Sequence, residues 1–165
     1  MKRAVFGIFA HPDDEAFLPS GTLIKYVAEG ADLYLICATK GEQGCNPDKV
    51  DDLGALREKE WREAGKLIGA KEQLQLGYPD GKLSNDLFHE IAEKIEDFVT
   101  NTLQKYKNDT KITFITYDNC GVTGHLDHIA ISYITTYVYS KLKESSKPRS
   151  FEKLRYACLC DAGAP

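Results

Sequence analysis

The chain has 165 residues, 42% hydrophobic and 28% charged, with a formal net charge of −4, close to an ordinary globular composition. That is enough for one domain with a real core. The acidic balance and the lack of a basic block argue against nucleic acid or an anionic membrane as the main partner, and no stretch is long and apolar enough to span a bilayer.

Val5-Phe6-Gly7-Ile8-Phe9-Ala10 is a short, continuous apolar run, the pattern of a strand covered on both faces. It stops at His11-Pro12, because proline lacks an N–H and keeps the preceding residue extended. A helix is expected over 21–30, with Leu23, Val27, Tyr26 and Ile24 inward and Gly30 as its stop. Leu33 to Ala38 is a second apolar strand, and 39–47 reads as a loop by its glycines and Asn46-Pro47. A second helix starts near Asp51 or Asp52 and closes at Gly69, with Leu53, Leu56, Trp61, Ala64, Leu67 and Ile68 at helical spacing. Gln73 to Leu76 alternates polar and apolar, hence a short edge strand, and 77–81 is a turn. Ser84 is expected to cap the longest helix, running to about Tyr106 on a stripe of Leu87, Ile91, Ile95, Phe98, Thr102 and Tyr106. On that helix His89 is expected to be exposed. Ile112 to Tyr117, β-branched and aromatic, reads as a central strand. A polar loop from Asp118 to Gly124 leads to His125-Leu126-Asp127-His128. These residues open a helix packed through Ile129, Tyr133, Ile134, Tyr137 and Val138. A hydrophilic linker over 144–150 precedes a final strand over 154–159.

Strands separated by helices imply parallel pairing with right-handed crossovers. The expected fold is therefore α/β, a Rossmann-like three-layer sandwich with a mainly parallel sheet in the order 3-2-1-4-5. In that order the first and fourth strands are neighbours, so the polar loops that leave them share one crevice at the carboxyl ends, where such sheets bind ligands. The five cysteines are odd in number and irregularly spaced, which fits reduced thiols in a cytoplasmic protein. Cys158 and Cys160 alternate along the last strand and read as packing residues rather than a zinc or redox pair. A chain that begins at once with a strand argues against a signal peptide.

Three of the four histidines lie in the two crevice loops, with Asp13, Asp14, Glu15 and Asp127 beside them. Ionisable groups crowded at the end of a buried strand need compensation, and a divalent cation is the simplest. Two imidazoles and one carboxylate make a catalytic zinc set that leaves a position for water. A spare carboxylate can take that water's proton, and a spare histidine can stabilise an oxyanion or protonate a leaving group. The parts are those of a metal-assisted amide or ester hydrolase. Glu15 reads as a supporting or capping residue. A phosphoryl-transfer site using the aspartates with magnesium is disfavoured, because histidine is a poor magnesium ligand. A non-catalytic Rossmann-like binding module remains the rival class, although no Gly-x-Gly-x-x-Gly follows the first strand.

Ala10-His11-Pro12-Asp13-Asp14-Glu15 and Gly124-His125-x-Asp127-His128 together resemble the PIG-L/LmbE-like zinc deacetylases, which act on N-acetylglucosamine-containing molecules. Thr39-Lys40-Gly41-Glu42, Leu56-Arg57-Glu58-Lys59-Glu60 and Leu76-Gly77-Tyr78-Pro79-Asp80-Gly81 support the likeness. The resemblance implies that His11, Asp14 and His128 hold Zn2+. Asp13 would be the general base, and His125, oriented by Asp127, would stabilise the oxyanion and donate a proton. Arg57 and Asp80 would touch the sugar. The implied partner is a small N-acetylated amino sugar or glycoconjugate. The stretch after the first motif, Phe17 to Gly21, is thinner in glycine than in the family. Family members also usually continue through a further strand and a histidine-bearing segment. The expectation is thus a single deacetylase domain over 1–165 without that segment, compatible with a homo-oligomer whose partner subunit closes the site wall.

Overall fold

The computed structural model describes residues 2–146 and 148–159, so Cys160 and its pairing with Cys158 lie outside the described residues. Five strands form one sheet: β1 (Arg3–Phe9), β2 (Asp32–Thr39), β3 (Ala70–Tyr78), β4 (Lys111–Tyr117) and β5 (Ser150–Ala157). Their order is β3-β2-β1-β4-β5, and every pairing is parallel. The helices between them are α1 (Asp14–Phe17), α2 (Ser20–Ala28), α3 (Leu53–Ile68), α4 (Phe88–Leu103), α5 (Gly121–Gly124) and α6 (Leu126–Ser145). Contacts join α2 to α3 and α4 to α6, and right-handed crossovers put those pairs on opposite faces of the sheet. From Ala4 to Phe9 and throughout β2 every residue is buried, which is why these strands read as unbroken apolar runs. Phe6 stacks on Tyr34 and packs against Phe114, so an aromatic row crosses the three inner strands.

Several local expectations were overturned by packing. The longest helix is α6, at 20 residues; α4 has 16 and is preceded by a short 3-10 turn over Asn85–Leu87 with no side-chain cap from Ser84. Its inward stripe is Ile91, Ala92, Ile95, Val99, Thr102 and Leu103, and Tyr106 lies past its end. On α3 the buried residues Trp61, Gly65 and Ile68 leave Leu67 on the outer side, 89% exposed. On α6 two apolar stripes compete. Ile131, Ile134, Val138 and Leu142 go inward, while Tyr133 and Tyr137 stay exposed and Ile129 is half-buried. The Ser132 hydroxyl, donating to the carbonyl of Tyr117 at 2.9 Å, fixes that rotation. β3 runs to nine residues because it pairs along most of β2. β5 begins at Ser150, earlier than expected, because Phe151 supplies a buried anchor opposite Ile112 of β4. Asp52 does cap α3, accepting from the backbone N–H of Ala55 at 2.9 Å.

At the amino end of the sheet, Asp32 accepts from Tyr106 at 2.6 Å and pairs with Lys2 at 2.8 Å and Lys71 at 2.7 Å. Burial alone would raise its carboxyl, but these hydrogen bonds outweigh it and hold Asp32 below the usual carboxylate range. A depressed carboxylate stabilises the fold above its unfolded pKa of about 3.9, and that contribution is lost as pH falls through the folded value. Asp32→Asn should therefore be less stable than the wild type near neutral pH, with the difference shrinking below about pH 4. Urea unfolding midpoints of both proteins across that range check it.

Candidate active site

At the carboxyl end of β1 the chain must send two adjacent aspartates in different directions. It does so at Asp13, whose φ of 115° and ψ of −25° are unusual for a residue with a Cβ, a conformation costing on the order of 1–3 kcal/mol. Glu15 helps hold it: its Oε2 accepts from the Asp13 backbone N–H at 3.2 Å. Glu15 is 1% exposed, and its Oε1 has no protein partner. Burial pushes its carboxyl up to about 7, against the backbone hydrogen bonds that favour the charged form. Asp14, one residue on, starts α1 and turns inward.

Three donors converge there. His11 Nδ1 and His128 Nε2 are 3.1 Å apart. Asp14 Oδ2 is 3.5 Å from His11 Nδ1, and Asp14 Oδ1 is 3.3 Å from His128 Nε2. The far nitrogen of each ring fixes its tautomer. His11 Nε2 faces Asp80 Oδ1 at 3.0 Å and Asp127 Oδ2 at 3.2 Å, so it carries a proton. His128 Nδ1 faces the carbonyl of Gly121 at 3.2 Å and carries one too. Each ring then presents a lone pair to the other beside a carboxylate, and only a proton or a metal cation between them relieves that. Without a metal, the proton sits on His11. Burial would lower its pKa, but hydrogen bonds to Asp127 and Asp14 and the charges of Asp14 and Asp80 push it up to about 10. Asp14 is correspondingly held well below the usual range, its burial outweighed by the two histidines and Tyr117. Tetrahedral donors at zinc distances stand about 3.3 Å apart, so the spacing fits zinc, and the donor types fit it as well. The residues present therefore fit the metal that the motif implies. His11, His125 and His128 also offer nitrogens within 4.8 Å of one another, as do the donors of His11, Asp80 and Asp127.

The other expected site residues gather around this centre with altered contacts. His125 is exposed, and its ring stacks on His128 at 4.6 Å and meets His11 edge-on at 4.8 Å. Its Nδ1 accepts from the backbone N–H of Asp127 at 3.2 Å, which leaves the proton on Nε2. Burial, then the charges of His11 and His128, lower its pKa, so the ring is neutral and still a donor. The carboxylate of Asp127 does not hold His125. It turns to His11 and accepts from the N–H groups of Gly81, at 2.8 Å, and Leu83, at 3.1 Å. The first turn of α6 allows this, because it points Asp127 back toward the 80–83 turn. Asp80 is likewise buried against His11, with Oδ2 accepting from the Gln43 N–H at 3.0 Å. Arg57 donates to Asp13 Oδ2 at 2.6 Å, to the carbonyl of Pro12 at 2.6 Å and to that of Gly41 at 2.9 Å. Beside Asp13 and Arg57 lies a cavity of about 360 Å³, bounded by the 44–50 loop and α3. Asp13 is only half-buried, yet its carboxyl is raised: burial outweighs the lowering by Arg57.

Residues that motif spacing could not find complete the arrangement. Glu42 accepts from the Asp80 N–H at 2.9 Å, so the loop after β2 braces the turn after β3. Tyr117, at the end of β4, hydrogen-bonds to Asp14 and lies flat on His128. Its only sequence signal was its place at the carboxyl end of a strand bordering the crevice.

Residues 6–139 match the profile of the PIG-L family, described as GlcNAc-PI de-N-acetylase. A probable N-acetyl-alpha-D-glucosaminyl L-malate deacetylase 2 of Bacillus cereus is 30% identical over 153 residues, covering 90% of this chain and 66% of its own length. A 1D-myo-inositol 2-acetamido-2-deoxy-alpha-D-glucopyranoside deacetylase of Streptomyces avermitilis is 30% identical over 145 residues, covering 77% and 49%. The chain thus spans roughly half to two-thirds of the length of these curated relatives. In fold it is similar to N,N'-diacetylchitobiose deacetylase from Pyrococcus horikoshii, with a TM-score of 0.71, 21% identity, and coverage of 88% of this chain and 52% of the other.

Because Asp127 satisfies two backbone donors while itself 2% exposed, its removal should strand both and leave His11 Nε2 with Asp80 alone. Asp127→Ala is expected to lose roughly 2–4 kcal/mol of stability. Urea unfolding of the metal-free protein checks this, and amide exchange at Gly81 and Leu83 should accelerate in parallel.

Proposed function

The chain belongs to the PIG-L family, and from that premise we propose that it is a zinc-dependent amide hydrolase that removes the N-acetyl group from an N-acetylglucosamine-type amino sugar. The observation that carries the reading is the 3.1 Å approach of His11 Nδ1 to His128 Nε2 beside the Asp14 carboxylate. His11, Asp14 and His128 would hold the ion. A zinc so held is a Lewis acid that acidifies a water and polarises an amide carbonyl.

The chain's own residues do the rest. Asp13, turned away from Asp14 by its backbone, takes the proton of the attacking water as general base. Arg57 holds one oxygen of Asp13 and the two carbonyls beside it, and so fixes the direction of the base. His125, with its proton on Nε2, would offer that N–H to the oxyanion as a hydrogen bond, and the proton that Asp13 takes from the water would pass to the departing amine. Asp127 assists through its backbone N–H and its charge, not by gripping the ring. The cavity beside Asp13 and Arg57 has the size of a small-ligand pocket and suits the sugar, with Arg57 as its polar wall. For Asp80 the buried contact with His11 favours holding that ring over touching the sugar. What supports the substrate class is the deacetylase description shared by the relatives.

Zinc content and acetate release, measured on the same preparation of each variant, test the roles. Asp13→Ala should keep its zinc and lose turnover by about 10²–10⁴-fold. Asp14→Ala and His128→Ala should lose both. A metal-free Asp13→Ala protein beside a zinc-bearing Asp14→Ala protein would mean that the aspartates are reversed. A wild-type protein that releases no acetate from any of a panel of N-acetylated amino sugars would remove the substrate assignment.

A further inference from the structure

Tyr117 is wholly buried at the last position of β4 and touches the support of each of the three proposed zinc ligands. Its hydroxyl donates to Asp14 Oδ2 and accepts from the backbone N–H of Ala10, the residue before His11, at 2.7 Å. Asp14 Oδ2 also accepts from the His11 N–H at 2.7 Å, so one carboxylate oxygen and one phenol oxygen together tie down the end of β1. The ring of Tyr117 stacks on His128 with centroids 4.2 Å apart and planes inclined by only 2°. Its carbonyl accepts from Ser132 at 2.9 Å, one turn along the helix that carries His128. Phe9 also meets the ring edge-on at 5.6 Å.

We infer that Tyr117 is a positioning residue that pre-organises the metal site, fixing the carboxylate of Asp14 and the ring plane of His128 before any ion arrives. The inference rests on the reading that His11, Asp14 and His128 bind zinc. A carboxylate ligand has two oxygens and two lone pairs on each; a donor on Oδ2 restricts which remain for a metal and which way the group faces. An imidazole ligand must point its lone pair along the metal bond, and a flat ring against it removes the rotation that would spoil this. Hydrogen-bond partners behind metal ligands typically change affinity by about 10–100-fold when removed. Tyr117 does this for one ligand through its hydroxyl and for another through its ring. These two contributions separate by substitution.

Tyr117→Phe keeps the stack and deletes the hydroxyl. It should bind zinc about 10–100-fold more weakly in competition with a chromophoric chelator, while a cobalt(II)-loaded sample changes its visible absorption. Tyr117→Leu deletes the stack as well and should bind more weakly still. A residue that merely supported the fold would lower the unfolding midpoint of the metal-free protein and leave the zinc affinity of the folded protein unchanged. A second measurement needs no variant. In the wild type the Tyr117 hydroxyl proton should give a slowly exchanging downfield resonance that moves when zinc is added. Equal zinc affinity of the wild type and Tyr117→Phe, or a hydroxyl resonance that is absent or unmoved by zinc, overturns the inference and leaves the zinc site standing. A wild-type chain that takes up no zinc overturns the metal reading and this inference with it.

Discussion

Two imidazole nitrogens lie 3.1 Å apart at the mouth of the sheet, each with its proton committed elsewhere, and the rest of the site is built around that approach. Lone pairs at that distance repel, so the fold must hold them there against their preference. It does so by securing the far nitrogen of each ring: His11 against Asp80 and Asp127, His128 against a backbone carbonyl. A carboxylate behind a histidine fixes the tautomer and makes the exposed nitrogen a better ligand. Without a metal, a proton fills the gap: burial would lower the pKa of His11, but the carboxylates around it push it up to about 10. The same negative surroundings that favour that proton favour a divalent cation in its place.

Holding this cluster requires rigidity behind it. β1 lies between β2 and β4, covered on both faces, so the residue that leaves its end emerges from the stiffest part of the sheet. The loops after β2 and β3 then brace one another through Glu42, Gln43 and Asp80, and the 80–83 turn is pinned by Asp127 from the start of α6. Four of the five strand ends thereby contribute to one polar cluster. The left-handed turn at Asp13 is a cost the fold bears within this frame. Without it, Asp13 and Asp14 could not serve different partners, and Arg57 could not take one while the histidines take the other.

The opposite end of the sheet uses similar chemistry with a different balance of charge. Asp32, with two lysines and a tyrosine, is a carboxylate whose partners are all cationic or neutral donors, and it is satisfied as it stands. The crevice differs because carboxylates there outnumber fixed cations among the described residues: Asp13 has Arg57, whereas Asp14, Asp80 and Asp127 share histidines. That imbalance separates a structural ion cluster from one that asks for a metal.

Strand–helix alternation and unbroken apolar runs determined the α/β class and the parallel pairing, because a strand buried on both faces has no polar period and a parallel crossover has one hand; the order 3-2-1-4-5 was an expectation that the strand pairing bears out. Given that order, the His11 and His128 loops had to meet, since neighbouring parallel strands release their loops at the same end. The sequence alone did not determine which side chain holds which. The resemblance implied that Asp127 orients His125, yet the first turn of α6 aims its carboxylate at His11, 116 residues away. Asp80 was expected to touch the sugar and is buried against His11, and Tyr117 read as one more strand residue while touching two of the proposed ligands. The helix faces diverged for a related reason. On α6 two apolar stripes are nearly equivalent by spacing, and a hydroxyl-to-carbonyl contact between Ser132 and Tyr117 selected one. Periodicity is a property of the chain and is legible from it; the rotation of a helix by one residue and the aim of a carboxylate depend on distances between segments, which only the packed structure decides.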